Sequence, residues 1–400
     1  MPPLLPNGAA RRVCVVGPAY VDEIVRVDGP LCPPDWQVAA GRAGRHDAFR
    51  LDYTVTEARR EGLPAGDVFL DLCGACADRI RVVDGGRRSG RRVRLREPRI
   101  VGTGSGADLP PLDTRVGLAG AHEEPGGMGP GYALALGARL VTAVGGRAGT
   151  PDATGQALTR AVAELGVDCR AVVVDGAATD TTLILMSPVG DKLPVARRSS
   201  SARCTADALV AAVRADAAAT DLDVSIVTSL PNPVAAAVAE RLGGWKLFAP
   251  SLRNCRSGPL GPVARAVDAM AMNATEWGAV EDADVVRGAC DLIAVTRGAA
   301  GASVLFRDAA GQEREADVAA AEAPGPVVDT NHAGEAFAAA LVGELILSGA
   351  LDDPRGGGYH EETVREAAVR ASWAAALAVR RAGMAFPRRD EVAAARRELC

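Results

Sequence analysis

A chain of 400 residues, 48% hydrophobic and 24% charged, has the composition of a globular protein with room for one large α/β domain and a smaller appendage. Its net charge of −5 gives no general reason to bind nucleic acid or a membrane surface, and no apolar run approaches the ~20 residues that span a bilayer. Nine scattered cysteines fit reduced thiols better than a disulfide framework, and Met1–Pro6 lacks the order of a secretory signal, so a cytoplasmic protein is expected.

Val13–Gly17 is a short apolar run closed by glycine, as a buried strand is. Tyr20–Val27 then alternates as an edge or lid strand would. From Gly29 to Pro125 the pattern is irregular, with Pro-Pro pairs, an isolated strand-like Val68–Leu70 and a Gly-rich loop at 102–107. So long an irregular connection suggests an inserted subdomain or enlarged lid. The expected division is therefore first core strands at 1–28, the insertion at 29–125 and an α/β core at 126–400. Within the insertion, Cys73 and Cys76 lack the further ligands of a zinc site and read as small apolar side chains. The arginines 87, 88, 91, 92, 94, 96 and 99 read as a solvated hairpin around Asp84–Gly86, in preference to a basic patch for a phosphorylated ligand.

After Gly126 the pattern is regular. Strands are predicted at Leu140–Val144, Ala171–Val174, Thr182–Met186, Val224–Thr228, Leu247–Ala249, Met270–Met272 and Leu292–Val295. Ala157, Leu158, Ala161, Val162 and Leu165 share one helix face, and further helices are expected at Pro233–Leu242 and Thr275–Val286. Hairpin strands Ser303–Phe306 and Glu313–Val318 follow, then long helices over roughly Gly334–Leu347 and Val364–Arg381. Strands alternating with helices predict right-handed crossovers and a mostly parallel sheet covered on both faces.

Four segments carry candidate chemistry. In Val327–Phe337 a predicted strand enters a small-residue turn, and a helix starts near Gly334. A helix N-terminus exposes unpaired amides and the positive end of the macrodipole, so it can hold an anion. Glu335 in the first turn can accept a proton from a hydroxyl beside that anion, or it can merely favour the helix start; the segment alone does not separate the two. Gly126-Gly127-Met128-Gly129-Pro130-Gly131-Tyr132 precedes a helix, where paired glycines let backbone approach a ligand. Asn273 and Glu276 directly follow a strand; they can order the waters of a bound Mg²⁺ or simply cap a helix. Thr296-Arg297-Gly298, with Gly301, is a strand end turning through glycine, suited to a nucleotide or to an ordinary hairpin.

In this order the four segments resemble the ribokinase-like, or phosphofructokinase-B type, carbohydrate kinases. The likeness covers the first strands with Asp22 and nearly everything from Gly126 to about Val392, and leaves out most of 29–125. Asp329-Thr330-Asn331-His332-Ala333-Gly334-Glu335 is similar to the family's Asp-Thr-x-Gly-Ala-Gly-Asp. The resemblance implies a three-layer αβα sandwich with a mostly parallel sheet, transferring the γ-phosphoryl of ATP to an alcohol on a sugar-like or nucleoside-like molecule. It implies that His332, Ala333 and Gly334 form the anion hole and that Glu335 is the base. Mg²⁺ would sit near Asn273, Glu276 (through water) and Asp329, and nucleotide near Thr296, Arg297, Gly298 and Gly301. Substrate would meet Asp22, Gly126, Gly127, Met128, Gly131, Tyr132 and Leu230, and a homodimer through the lid region would be possible. Several positions depart from the family. Glu335 replaces aspartate and His332 replaces glycine, while Met128, Gly131 and Leu230 replace polar residues. An apolar, aromatic-lined pocket and a nucleoside-like acceptor are then expected. A catalytically weak or inactive member that binds nucleotide is the alternative.

Overall fold

Alternation along the strands decides the layering. In Val13–Val16, Val13 and Val15 join one hydrophobic core while Cys14 joins the other with Val16. The same period of two separates Leu247 and Ala249 from Phe248, and Ala269 and Ala271 from Met270 and Met272. Strands apolar on both faces must be covered on both faces, and each fully buried aliphatic side chain contributes about 1.5–3 kcal/mol. The computed structural model describes residues 13–27, 36–39, 55–59, 67–72, 81–83, 87–89, 92–96, 99–103, 118–186, 192–215, 222–352 and 358–399. Cys73 and Cys76 lie outside these residues.

The resulting sheet has ten strands. Its spatial order is Thr150–Pro151, Arg139–Arg147, Val13–Val16, Val224–Thr228, Trp245–Ala249, Ala269–Asn273, Leu292–Thr296, Ala302–Arg307 and Glu313–Val318, with Cys169–Asp175 also on Arg139–Arg147. The central pairs are parallel, and the pairs at the two ends are antiparallel. Helices Met128–Leu136, Ala333–Leu347 and Glu361–Ala378 cover one face; Ala206–Arg214 and Asn232–Ala239 lie on the other. This is the three-layer sandwich expected from the sequence.

The described residues divide into two compact units: Met1–Val21 with Pro125–Thr181 and Arg197–Cys400, and Asp22–Glu124 with Thr182–Ala196. The second unit therefore takes Thr182–Ala196 as well as the stretch read as an insertion. It has a four-stranded sheet in the order Leu118–Gly126, Tyr20–Val27, Thr181–Met186, Lys192–Arg197. Tyr20–Val27 is thus flanked on both sides and is not an edge strand. A three-stranded sheet (Arg81–Val83, Trp36–Ala39, Arg99–Thr103) and a four-stranded one (Val55–Arg59, Asp67–Leu72, Arg92–Arg96, Arg87–Ser89) complete it. The arginine-rich hairpin pairs Arg87 with Arg94 and Ser89 with Arg92. Arg81–Val83 pairs with Trp36–Ala39 in a different sheet, so the strands on either side of 84–86 are not partners of each other, and Asp84–Gly86 lie outside the described residues.

Two further expectations are corrected. The helix predicted over Thr275–Val286 is two helices, Ala274–Trp277 and Ala283–Ala289, the first ending at Gly278, a poor helix former. Val327–Val328 is not a strand. The amides of Val328 and Asp329 both donate to the Val379 carbonyl at the end of the Glu361–Ala378 helix, so no ladder partner is left for them.

Candidate functional site

Glu335 stands in the first turn of the Ala333–Leu347 helix, whose N-cap is His332. That cap gives no side-chain hydrogen bond to the helix, so the first-turn amides keep their capacity for an anion. A Cβ on Gly334 would meet nothing within 4 Å, so the turn is open on that side. His332 has left-handed backbone, φ 62, ψ 5, and its Nδ1 lies 3.5 Å from Oε1 of Glu335. Upstream, Asp329 accepts the Asn331 amide at 2.9 Å, which fixes the entry to the turn.

Met128–Leu136 brings a second glycine segment to the same place. A Cβ on Gly131 would lie 3.5 Å from Cγ of Glu335 and 3.5 Å from Cζ of Phe386. Gly127, at φ 98, would put a Cβ 2.6 Å from the Pro18 carbonyl. Glycine at 127 is therefore required by the chain's own backbone, and Gly126 is buried beside it. The Met128 Sδ accepts the Ser229 hydroxyl at 2.8 Å. Tyr132 and Leu230, expected to line a pocket, are fully buried core residues. They belong to the two cores on opposite faces of the sheet, because residue 132 faces the sheet while residue 131 faces Glu335. The aromatic ring beside Gly131 is Phe386, in the loop before the last helix. No periodicity marks that loop, so sequence reasoning missed it.

Across the parallel strand ends lies a cleft of ≈ 550 Å³ lined by Leu252, Asn273, Ala274, Thr275, Glu276, Thr296, Arg297 and Gly298. The register pairs Asn273 with Thr296, which brings the third and fourth sequence segments side by side. Ligands of open α/β sheets bind at these carboxyl ends. Asn273 and Glu276 form a reciprocal cap: Oδ1 of Asn273 accepts the Glu276 amide at 2.9 Å, and Oε2 of Glu276 accepts the Asn273 amide at 2.8 Å. Capping is thus realised, and the Leu252 amide also donates to the Glu276 carboxylate. Burial pushes the Glu276 carboxyl up to about 7 despite the Asn273 amide, and the Glu335 carboxylate adds to the rise. Burial, followed by the fields of Glu335 and Glu276, likewise raises the Tyr132 phenol.

A cleft-lining carboxylate whose charge is disfavoured by burial and by a second carboxylate, as Glu276 is, is a donor that a divalent cation would relieve. Among the described residues no group of three His, Cys, Asp or Glu could hold a metal ion. Arg297 lines the cleft while its guanidinium donates to Ser303 Oγ and, at 2.8 Å, to Asp317 Oδ1. Gly301 has φ 85 and would put a Cβ 2.1 Å from the Val318 carbonyl, so only glycine closes this loop. Asp22 is a buried residue of the second unit's four-stranded sheet.

A family model described as pfkB family carbohydrate kinase matches residues 120–391. This chain belongs to the pfkB family. Membership supports a sugar or nucleoside kinase. Solved structures share its fold along almost the whole chain. Ribokinase from Giardia lamblia is 16% identical with a TM-score of 0.63, covering 98% of this chain and 99% of that one. A nucleoside kinase from Methanocaldococcus jannaschii is 12% identical with a TM-score of 0.60, covering 98% and 100%. Arabidopsis thaliana ribokinase, solved with ribose and ATP, is 15% identical with a TM-score of 0.55, covering 96% and 98%. No curated protein sequence matches significantly.

Proposed function

We propose that the protein transfers the γ-phosphoryl of ATP to a hydroxyl of a sugar-like or nucleoside-like molecule, with Glu335 as general base. The observation that carries this is the position of Glu335, in the first turn of a long helix, flanked by Gly131 and electrostatically coupled to Glu276 at the cleft. Phosphoryl transfer asks for alignment and charge stabilisation more than covalent chemistry. The amides of Ala333 and Gly334 would hold the transferring phosphoryl, and the cleft beside Thr296 and Gly298 would take the nucleotide. Asn273 and Glu276 would hold waters of Mg²⁺, which when bound offsets phosphate charge. Glu335 would accept the proton of the attacking hydroxyl. Gly131 and Phe386 give the neighbourhood of Glu335 a small apolar wall, which favours an acceptor with a flat or apolar part. Asp22 would accept hydrogen bonds from acceptor hydroxyls, and the stretch 29–125 would act as a lid.

The test is ADP release measured over a panel of sugars and nucleosides, with and without Mg²⁺, beside melting curves with Mg·ATP. Turnover of at least one alcohol, lost in Glu335→Gln, is expected. A melting temperature raised by Mg·ATP without turnover of any alcohol would leave a nucleotide-binding protein in place of an enzyme.

A further inference from the structure

Glu335 has three side-chain torsions, and a proton acceptor must be held near one geometry to work. Freezing such a side chain costs rotamer entropy, so something must confine it. One flank is Gly131, whose missing side chain leaves a Cβ position 3.5 Å from Cγ and 3.6 Å from Cβ of Glu335. The other flank is His332. Its ring stands edge-on to Phe386, with centroids 6.1 Å apart and planes at 68°. Its Nδ1 faces Oε1 of Glu335 at 3.5 Å, and the two side chains are only 12% and 15% exposed. The imidazole is thereby wedged between an aromatic ring and the carboxylate.

His332 also occupies a left-handed backbone position, φ 62, that strains a residue with a Cβ. Glycine would sit there without strain. Backbone strain of this kind persists where a side chain is needed, and the group this side chain meets is Glu335. A separation of 3.5 Å is an ion-pair distance and long for a hydrogen bond; such contacts tighten when an active site fills.

We infer that His332 is a positioning residue for Glu335, its imidazole Nδ1–H holding the carboxylate toward the acceptor hydroxyl. The inference rests on the reading of Glu335 as the base. The carboxylate accepts the hydroxyl proton, and the role assigned to His332 is to hold that carboxylate.

Two measurements test it on the full chain. The first is ¹⁵N NMR of the four histidine rings at about pH 8, where free imidazole is neutral, with the His332 signals assigned by their loss in His332→Gly. The neutral His332 ring is expected to carry its proton on Nδ1 in the wild type and on Nε2 in Glu335→Ala. Identical ring signals in the two proteins overturn the inference whatever the activity. The second is a kinetic cycle on any alcohol that the ADP-release panel identifies. His332→Gly is expected to lower kcat about 10–100-fold, as a misplaced base does, with both KM values within twofold and the melting temperature unchanged or raised. His332→Asn, which tolerates the left-handed backbone and offers an amide donor, should recover part of the loss. In a Glu335→Asp background, whose shorter carboxylate falls short of the ring, the same glycine exchange should change kcat less than twofold. Losses that simply multiply across the cycle overturn the inference. If the tautomer difference is present and no alcohol is phosphorylated, the kinase reading falls and takes the catalytic purpose of the pair with it, while the pairing stands.

Discussion

Gly131 and Glu335 face each other so closely that a methyl group on residue 131 would touch Cγ of Glu335, 3.5 Å away. The extra methylene of Glu335 relative to aspartate lies against the side chain that residue 131 does not have. The two positions therefore constrain each other. Gly131→Ala makes only an ordinary contact and removes a helix-interior glycine, so it should raise stability by up to about 1 kcal/mol and leave turnover within a few-fold. Gly131→Leu should displace the carboxylate and cost about 100-fold in kcat, with little change in the melting temperature. Melting curves beside steady-state kinetics of the two variants check this.

The Glu276 carboxyl supplies a pH dependence whose sign is fixed. Its folded-state value of about 7 lies above the ordinary 4.5. Between those two values the folded chain retains a proton that the unfolded chain has released, so stability falls as pH rises through the window. Glu276→Gln keeps an acceptor for the Asn273 amide and cannot ionise. The wild type should lose about 1 kcal/mol more than this variant between pH 5 and pH 8, allowing for solvent screening of a half-buried group. Parallel melting-temperature profiles for the two proteins would show the prediction to be wrong.

The two glycines of the loop after Thr296 differ in what they permit. Gly301→Ala combines a left-handed backbone with a collision against the Val318 carbonyl, and should cost about 2–4 kcal/mol. Gly298, at φ 59, has open space where its Cβ would be. Gly298→Ala should cost about 1 kcal/mol and, because the new methyl projects beside the cleft, weaken nucleotide binding several-fold. Denaturant melts and nucleotide titration by calorimetry separate the two outcomes.

Arg297 lines the cleft, and its guanidinium also braces the hairpin through Ser303 and Asp317. The Ser303 hydroxyl first, and then Arg297, hold the Asp317 carboxyl below the usual carboxylate range. Arg297→Ala should therefore leave the stabilisation by Mg·ATP within about twofold in Kd, and lower the melting temperature only by the ~0–1 kcal/mol of an exposed pair. A loss of nucleotide affinity beyond tenfold would return Arg297 to the binding site.

Sequence by itself determined the sheet, because strands such as Val224–Thr228 and Leu292–Val295 are short, mostly apolar runs separated by helix-forming segments. It also marked the segments that meet at the strand ends, since a glycine or a capping residue announces a helix start by its own local chemistry. What it did not determine was which way each side chain faces and what it meets there. Tyr132 and Leu230 carry no local sign of pointing into the cores, and Phe386 reaches Gly131 from a loop more than two hundred residues away. Asn273 and Glu276 could be read as cap or as ion site from spacing alone; only the register that sets Asn273 beside Thr296 puts the cap at the edge of a cleft. Tertiary packing decided the rest, because contacts between distant segments follow from how both faces of the sheet are filled and leave no periodic trace in either segment.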